Sequence, residues 1–213
     1  MTLSQEQQIE QHERTMNAIV ERLLEKYKGI LSKETISRVA YESYAGLKRS
    51  ATNKVSYPIT EKFASDRLRA LGIAQDPSSK TMPEVLFVCV QNAGRSQMAM
   101  GLLKALSNGR VNVMSAGSAP ASEVSEKTVS VMGELGIDVS EAFPKPLTDD
   151  VVRAADVVIT MGCGDACAIY PGKRYLDWEL EDPAHLDLDG VRGVRDEIRS
   201  KVLTLISELG LES

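Results

Sequence analysis

A cysteine, an arginine and a serine in the middle of the chain have a spacing that suits nucleophilic chemistry on an anion. Cys89, Arg95 and Ser96 belong to the stretch CVQNAGRS and fit the pattern Cys-x5-Arg-Ser. The intervening residues can wrap so that successive backbone N–H groups point inward at the start of a helix, where they bind anions. The predicted oxyanion-binding residues are Val90, Gln91, Asn92, Ala93, Gly94, Arg95 and Ser96.

The side chains of this stretch complement its backbone. Arg95 offers a rigid fork of donors for two oxygens of a tetrahedral dianion. The same positive field favours the thiolate form of Cys89, which is the nucleophilic form. We expect Ser96 to donate a hydrogen bond to the sulfur and Asn92 to hold the loop through its side-chain amide. Gly94 is expected to permit a backbone conformation that most residues resist.

The other two cysteines, Cys163 and Cys167, lie in the stretch MGCGDAC. Three cysteines are an odd number and too few for the disulfide framework of a secreted protein. The pair could pack in a core, bind zinc or act as a redox couple. A zinc site needs two further ligands, and His12 and His185 are the only histidines, so we predict no metal site and no cofactor.

The region around these residues alternates between buried strands and helices. The apolar runs VLFVCV, VNVMSAG, AADVVITM and GKRYLDW predict four parallel strands. Helices are predicted for SQMAMGLLKAL, for 123–135 and for 191–209, with a loop between the second helix and the third strand. This order predicts an α/β fold with a four-stranded parallel sheet flanked by helices. Ligands of such sheets bind at the carboxyl ends of the strands, where Cys89 is expected.

The N-terminal part of the chain predicts a small all-α unit of three helices. Its apolar residues recur every three or four positions, with Ser32 as the cap of the second helix and Thr60 and Gly72 bounding the third. The predicted domains are residues 1–76 as the helical unit, 77–83 as a linker and 84–213 as the α/β domain. Residues 1–76 carry 12 basic and 10 acidic side chains, and residues 77–213 carry 13 and 20. This balance disfavours nucleic-acid binding.

Several of these motifs resemble the low-molecular-weight protein tyrosine phosphatases and the arsenate reductases that share their fold. Besides the Cys89–Ser96 loop, the similar segments are Ser115-Ala116-Gly117, Asp156–Thr160 and Asp182-Pro183-Ala184. The resemblance implies that Asp182 is the general acid for attack by Cys89. It also implies that Cys163 and Cys167 relay the oxidation as a disulfide that thioredoxin reduces. His185, close to Asp182, is expected to be a surface residue.

The sequence is compatible with a few alternative substrates and partners. Arsenate reduction is favoured by the cysteine pair and by Ala184, which stands where many tyrosine phosphatases have an aromatic residue. The alternatives are a phosphatase, a reductase that uses a low-molecular-weight thiol such as mycothiol, and a non-enzymatic sensor whose helices bind DNA. Met100 replaces a glutamate that helps some reductases to hold a cation, so no potassium site is expected. We expect a cytoplasmic protein without a membrane span, and a homodimer through the N-terminal helices.

Overall fold

A computed structural model describes residues 4–50, 55–162 and 168–211. The helices in these ranges are α1 Gln5–Lys26, α2 Lys33–Arg49, α3 Tyr57–Gln75, α4 Arg95–Leu106, α5 Glu126–Gly133, α6 Asp149–Ala154 and α7 Leu188–Glu208. The strands are β1 Glu84–Cys89, β2 Asn112–Gly117, β3 Val157–Met161 and β4 Arg174–Asp177. Short 3-10 turns occur at Pro77–Ser79 and Pro183–His185.

The four strands form one parallel sheet in the order β2-β1-β3-β4, which confirms the predicted architecture. The central strand β1 is buried along its whole length, as its continuous apolar sequence requires. Its last residue, Cys89, pairs with Gly117 of β2 and Met161 of β3. The carboxyl ends of three strands therefore meet around one sulfur atom.

The two faces of the sheet have separate cores because successive residues of β1 point in opposite directions. Phe87 and Cys89 face a core shared with α4, α5 and α7. Leu86 and Val88 face the opposite core, to which α6 and the end of α3 contribute. Trp178, which follows β4, packs its ring 5.6 Å from that of Phe87 and closes the first core near the site.

The N-terminal helices have their own apolar core, which is centred on Met16, Ile19, Leu23, Ile36 and Leu68. Helix α3 also packs against α6 of the α/β part. There the guanidinium of Arg67 donates to the Asp150 carboxylate at 2.8 Å, and both side chains are buried. The helical unit is thus in direct contact with the α/β part, while the predicted division into domains at 1–76 and 84–213 stays a prediction.

Two helices begin earlier than their sequences predicted, because a capping residue lies upstream. Helix α3 begins at Tyr57 and not at Thr60, since the Ser56 hydroxyl accepts the N–H of Ile59. It also continues past Gly72 to Gln75. The terminal helix α7 begins at Leu188 and not at Val191, because the Asp187 side chain caps it.

Tertiary contacts explain two further differences. The predicted helix 123–135 is shortened to Glu126–Gly133, since the N–H of Ser125 is bound by the carbonyl of Ala93. Helix α6 was not predicted, and its residues separate the preceding loop from a β3 that starts at Val157. Asp156, expected in the strand, instead accepts the N–H of Glu84 through its side chain at 2.9 Å.

Candidate functional site

The phosphate loop, residues 89–96, wraps around the Cys89 sulfur. Ser96 Oγ lies 2.9 Å from Cys89 Sγ, and the backbone N–H of Asn92 donates to the same sulfur at 3.2 Å. Helix α4 starts at Arg95, so the positive end of its dipole faces the loop. Cys89, Asn92 and Ser96 are all buried, which strengthens these interactions by excluding water.

Asn92 sets the direction of the hydrogen bonds inside the loop. Its Oδ1 accepts the backbone N–H of Lys145 at 2.9 Å, and this fixes the orientation of the amide because a backbone N–H can only donate. Its Nδ2 consequently donates to Ser96 Oγ at 2.8 Å. The hydroxyl proton of Ser96 is then available for the Cys89 sulfur, as expected for a group that stabilises a thiolate.

At two positions near the phosphate loop, neighbouring atoms lie too close to leave room for a side chain, so glycine is required. A Cβ on Gly94 would lie 2.9 Å from Pro183 Cγ, and a Cβ on Gly117 would lie 2.6 Å from the carbonyl oxygen of Val90. The left-handed residue of the loop is Asn92, with φ of 49°, whereas Gly94 has φ of −127°.

The segment from 118 to 125 holds the outer side of the phosphate loop. Backbone N–H groups of this segment bind the carbonyl oxygens of Cys89, Val90, Gln91 and Ala93 at 2.9 to 3.2 Å. With these carbonyls engaged on the outside, the loop's N–H groups are left for an anion. Nothing in the composition of this supporting segment marks it in the sequence.

Arg95 bridges the phosphate loop and the acid loop, which comprises residues 180–184. Its Nη2 donates to Asp182 Oδ2 at 3.0 Å and its Nη1 donates to the Leu180 carbonyl at 3.2 Å. The Arg95 side chain is 10% exposed and that of Asp182 is 57% exposed. The two charged groups singled out in the sequence therefore lie together at the mouth of the site.

A pocket of about 260 Å³ opens above the sulfur. It is lined by Cys89, Gln91, Ala93, Gly94, Arg95, Ala121, Glu123, Ser125, Asp182, Pro183 and Ala184. These side chains are small or polar and none is aromatic, so the pocket suits a compact anion better than an aryl ester. His185 is exposed beside it, as expected.

The cysteine pair lies outside the described residues, but the chain leading to it does not. Met161 pairs with Cys89 in the sheet. Gly162 follows with φ of 71°, and a Cβ there would lie 3.1 Å from Arg95 Nη1. The residue that precedes Cys163 therefore lies beside Arg95, whose side chain lines the pocket.

Within the described ranges, no group of three or more histidine, cysteine or acidic side chains is arranged to hold a metal ion. The helices of those ranges include none with the length and hydropathy needed to cross a bilayer.

Family profiles match nearly the whole chain. The profile of the low molecular weight phosphotyrosine protein phosphatases matches residues 84–213. A second profile, that of the protein-tyrosine-phosphatase-like N-terminal domain, matches residues 16–72. Among solved structures, the thioredoxin-dependent arsenate reductase of Corynebacterium glutamicum is similar with a TM-score of 0.82 and 45% identity, over 95% of this chain and 100% of that one.

Other relatives match little more than half of the chain. The glutaredoxin arsenate reductase of Synechocystis is 36% identical over 132 residues, which are 60% of this chain and 99% of that protein. Arsenate reductase 1 of Staphylococcus epidermidis is 35% identical over 124 residues, or 56% of this chain and 92% of that protein. The structure of an arsenate reductase in the phosphate-binding state has a TM-score of 0.54 and 36% identity, over 60% of this chain and 99% of that one.

Proposed function

The chain belongs to the low molecular weight phosphotyrosine protein phosphatase family, and we propose that it reduces arsenate to arsenite through the Cys89 thiolate. The observation that carries this proposal is the environment of Cys89 Sγ. The sulfur accepts hydrogen bonds at the floor of a small pocket whose rim holds a guanidinium and a carboxylate. The likeness of almost the full chain to a thioredoxin-dependent arsenate reductase supports the choice of arsenate.

In the first step, the Cys89 thiolate attacks arsenic while the oxyanion is held by the loop N–H groups and Arg95. Arsenate oxygens take the place of the Asp182 carboxylate as acceptors for Arg95. Asp182 in its protonated form then delivers its proton to the oxygen that leaves as water, acting as the general acid. The product is an adduct with a sulfur–arsenic bond.

In the second step, the thiolate of Cys163 attacks the Cys89 sulfur. A Cys89–Cys163 disulfide forms, the sulfur–arsenic bond breaks, and its electron pair stays on arsenic, which leaves as arsenite. Cys167 then attacks the Cys163 sulfur and releases the Cys89 thiolate. A thioredoxin dithiol reduces the resulting Cys163–Cys167 disulfide. The pairing of Met161 with Cys89 and the approach of Gly162 to Arg95 support Cys163 as the first attacking thiolate.

Arsenate-dependent consumption of NADPH, with thioredoxin and its reductase present, tests this function. We expect turnover by the wild type and none by Cys89→Ser, Cys163→Ser or Cys167→Ser. Mass spectrometry after arsenate treatment without reductant should find the Cys163–Cys167 disulfide in the wild type and a Cys89–Cys163 disulfide in Cys167→Ser. Full turnover by the Cys163 and Cys167 variants would contradict the relay, and an assay with mycothiol in place of thioredoxin would then test a low-molecular-weight thiol as the donor.

A second candidate, phosphate monoester hydrolysis, is favoured by the shape of the loop, which is equally suited to phosphate. A tyrosine phosphatase of Erwinia amylovora is 27% identical with a TM-score of 0.54, over 61% of this chain and 94% of that one. This function predicts hydrolysis of an aryl phosphate that depends on Cys89 and not on Cys163 or Cys167. The lack of an aromatic residue in the described pocket lining disfavours it.

Two further features belong to the same proposal. A cytoplasmic location suits a relay that needs free thiols and a thioredoxin. A homodimer through the N-terminal helices would cover Ile9 of α1 and Tyr41 of α2, which are exposed large apolar side chains. Light scattering on the full chain and on an Ile9→Ser variant would test the dimer.

A further inference from the structure

The support segment, Phe143–Lys145, lies behind the phosphate loop and is bonded to it on two sides. The N–H of Lys145 donates to Asn92 Oδ1 at 2.9 Å, and the carbonyl of Phe143 accepts Gln97 Nε2 at 3.1 Å. The carbonyl of Lys145 in turn accepts the N–H of Gly117, at the end of β2. The segment is therefore joined both to the loop and to the sheet that carries it.

Gln97 links the support segment to Asn92. Its side chain is fully buried, and its Nε2 also donates to the backbone carbonyl of Asn92 at 2.9 Å and to Asn92 Oδ1 at 3.2 Å. Its Oε1 is buried without a hydrogen-bond partner in the described part of the chain. A buried acceptor without a hydrogen bond lowers the stability of the folded protein. The Gln97 amide oxygen therefore does not stabilise the fold, and the amide acts through its N–H donors.

The helical unit packs on the other side of the same segment. The Phe143 ring belongs to an apolar cluster with Leu47 of α2 and Phe63 of α3. Lys62 Nζ lies 5.6 Å from the centre of the Phe143 ring. The Lys145 ammonium is buried 4.6 Å from that ring, and Asp66 and Lys62 of α3 are the charges that act on it.

We propose that the N-terminal helical unit positions the catalytic thiolate, by packing on the support segment whose hydrogen bonds to Asn92 and Gln97 hold Ser96 against Cys89. Gln97 is a positioning residue in this arrangement. The chain of contacts runs from the Phe143 carbonyl through Gln97 Nε2 and Asn92 Nδ2 to Ser96 Oγ and the sulfur. The inference rests on the proposed role of Cys89 as nucleophile.

Gln97→Met tests the link to Asn92 because it keeps the volume but removes both the donors and the orphaned oxygen. Alkylation of Cys89 by iodoacetamide at neutral pH should slow roughly 10-fold, the effect of one hydrogen bond to a charged group. The rate profile should also move to higher pH, and the melting temperature should fall modestly because the buried carbonyls of Asn92 and Phe143 lose a donor. Ser107→Ala is the matched control, since it removes another buried unpartnered oxygen just after α4 and should leave alkylation unchanged.

Phe63→Ala tests the part played by the helical unit. It removes apolar packing from Phe143, whereas the control Leu23→Ala removes a buried side chain from the separate three-helix core. Both should lower the melting temperature. At a temperature where circular dichroism shows both variants folded, only Phe63→Ala should slow Cys89 alkylation and raise the KM for arsenate.

The proposal is overturned if Gln97→Met is alkylated at the wild-type rate, or if Phe63→Ala and Leu23→Ala change alkylation equally. Alkylation requires no arsenate, so these outcomes are separate from the test of the proposed function. If the enzyme failed to reduce arsenate but kept the expected order of alkylation rates, the proposed substrate would be wrong. The positioning role of the helical unit would still be supported.

Discussion

The two walls of the pocket are built in different ways. In the phosphate loop, Cys89, Asn92 and Ser96 are buried and bonded to each other, and a second layer of residues holds them from behind. In the acid loop, Asp182 is largely exposed, and its carboxylate is bound by Arg95 and by the N–H of Ala184. The anion-binding wall is preorganised during folding, whereas the proton-donating wall has to exchange partners when the anion arrives.

The difference reflects the chemistry assigned to each wall. Stabilising a charge requires fixed donors, because donors that must reorient during the reaction lose part of the stabilisation free energy. Delivering a proton requires a carboxyl group that can move from one partner to another. Substitutions in the two walls should therefore have kinetic effects that differ in kind as well as in magnitude.

The largest effect is expected for Arg95→Lys. A lysine keeps the charge but lacks the planar fork that binds two oxygens, so kcat/KM for arsenate should fall roughly 10²- to 10³-fold. Steady-state kinetics with thioredoxin would measure the loss. Arg192→Lys is the control, because Arg192 also pairs with a carboxylate, that of Glu134, but on the exposed surface of α7. A loss of less than threefold for Arg95→Lys would contradict the assigned role.

Asp182→Asn should lower kcat by about 10²-fold, since an amide cannot supply the proton to the leaving oxygen. Iodoacetamide alkylation of Cys89 should stay within about twofold of wild type, because the hydrogen bonds to the sulfur come from the other wall. An equal loss in both assays would show that the two walls are not separable. Asp189→Asn, an exposed aspartate on α7, provides the matched control.

Gly94→Ala is a substitution in the phosphate loop that should displace the acid loop. Its new Cβ would meet Pro183 Cγ at 2.9 Å, so the acid loop has to shift away while the phosphate loop keeps its hydrogen bonds. We expect kcat to fall roughly 10-fold, a typical result of slightly misplacing a catalytic group. Gly193→Ala, where an added Cβ meets nothing within 4 Å, should leave kcat unchanged. Unaltered kcat in Gly94→Ala would mean that the contact with Pro183 is unimportant.

Lys145→Met should change stability and hardly change activity, because its backbone N–H to Asn92 remains. Burial lowers the pKa of Lys145 from 10.5 to about 8. Between these values the unfolded chain binds a proton that the folded chain has lost, so the free energy of unfolding rises with pH in this window. The variant should be more stable than wild type at pH 7.5 by up to roughly 3 kcal/mol, with the difference shrinking at pH 10.

Urea unfolding of both proteins at pH 7.5 and pH 10 measures that effect. A difference in stability that does not depend on pH would show that the Lys145 ammonium is not desolvated in the folded protein.

The sequence predicted the anion-binding wall better than the wall that faces it. Cys89, Arg95 and Ser96 are close in the chain, and their arrangement follows from a short turn between a strand and a helix. Asp182 was identified through a resemblance, since an acidic turn beside a proline is common in itself. Gln97 was missed, although a polar side chain on the core-facing side of α4 is a signal that could have been read.

By itself the sequence determined the parallel sheet, the three N-terminal helices and the course of the phosphate loop. These depend on hydrophobic periodicity and on residues within one or two turns of each other, where covalent geometry leaves few alternatives. Only the tertiary structure decided that Arg95 pairs with Asp182, 87 positions away, and that Lys145, 53 positions from Asn92, holds the loop from behind. Such long-range pairs depend on how the helices pack on the sheet, and no local pattern of residues encodes that packing.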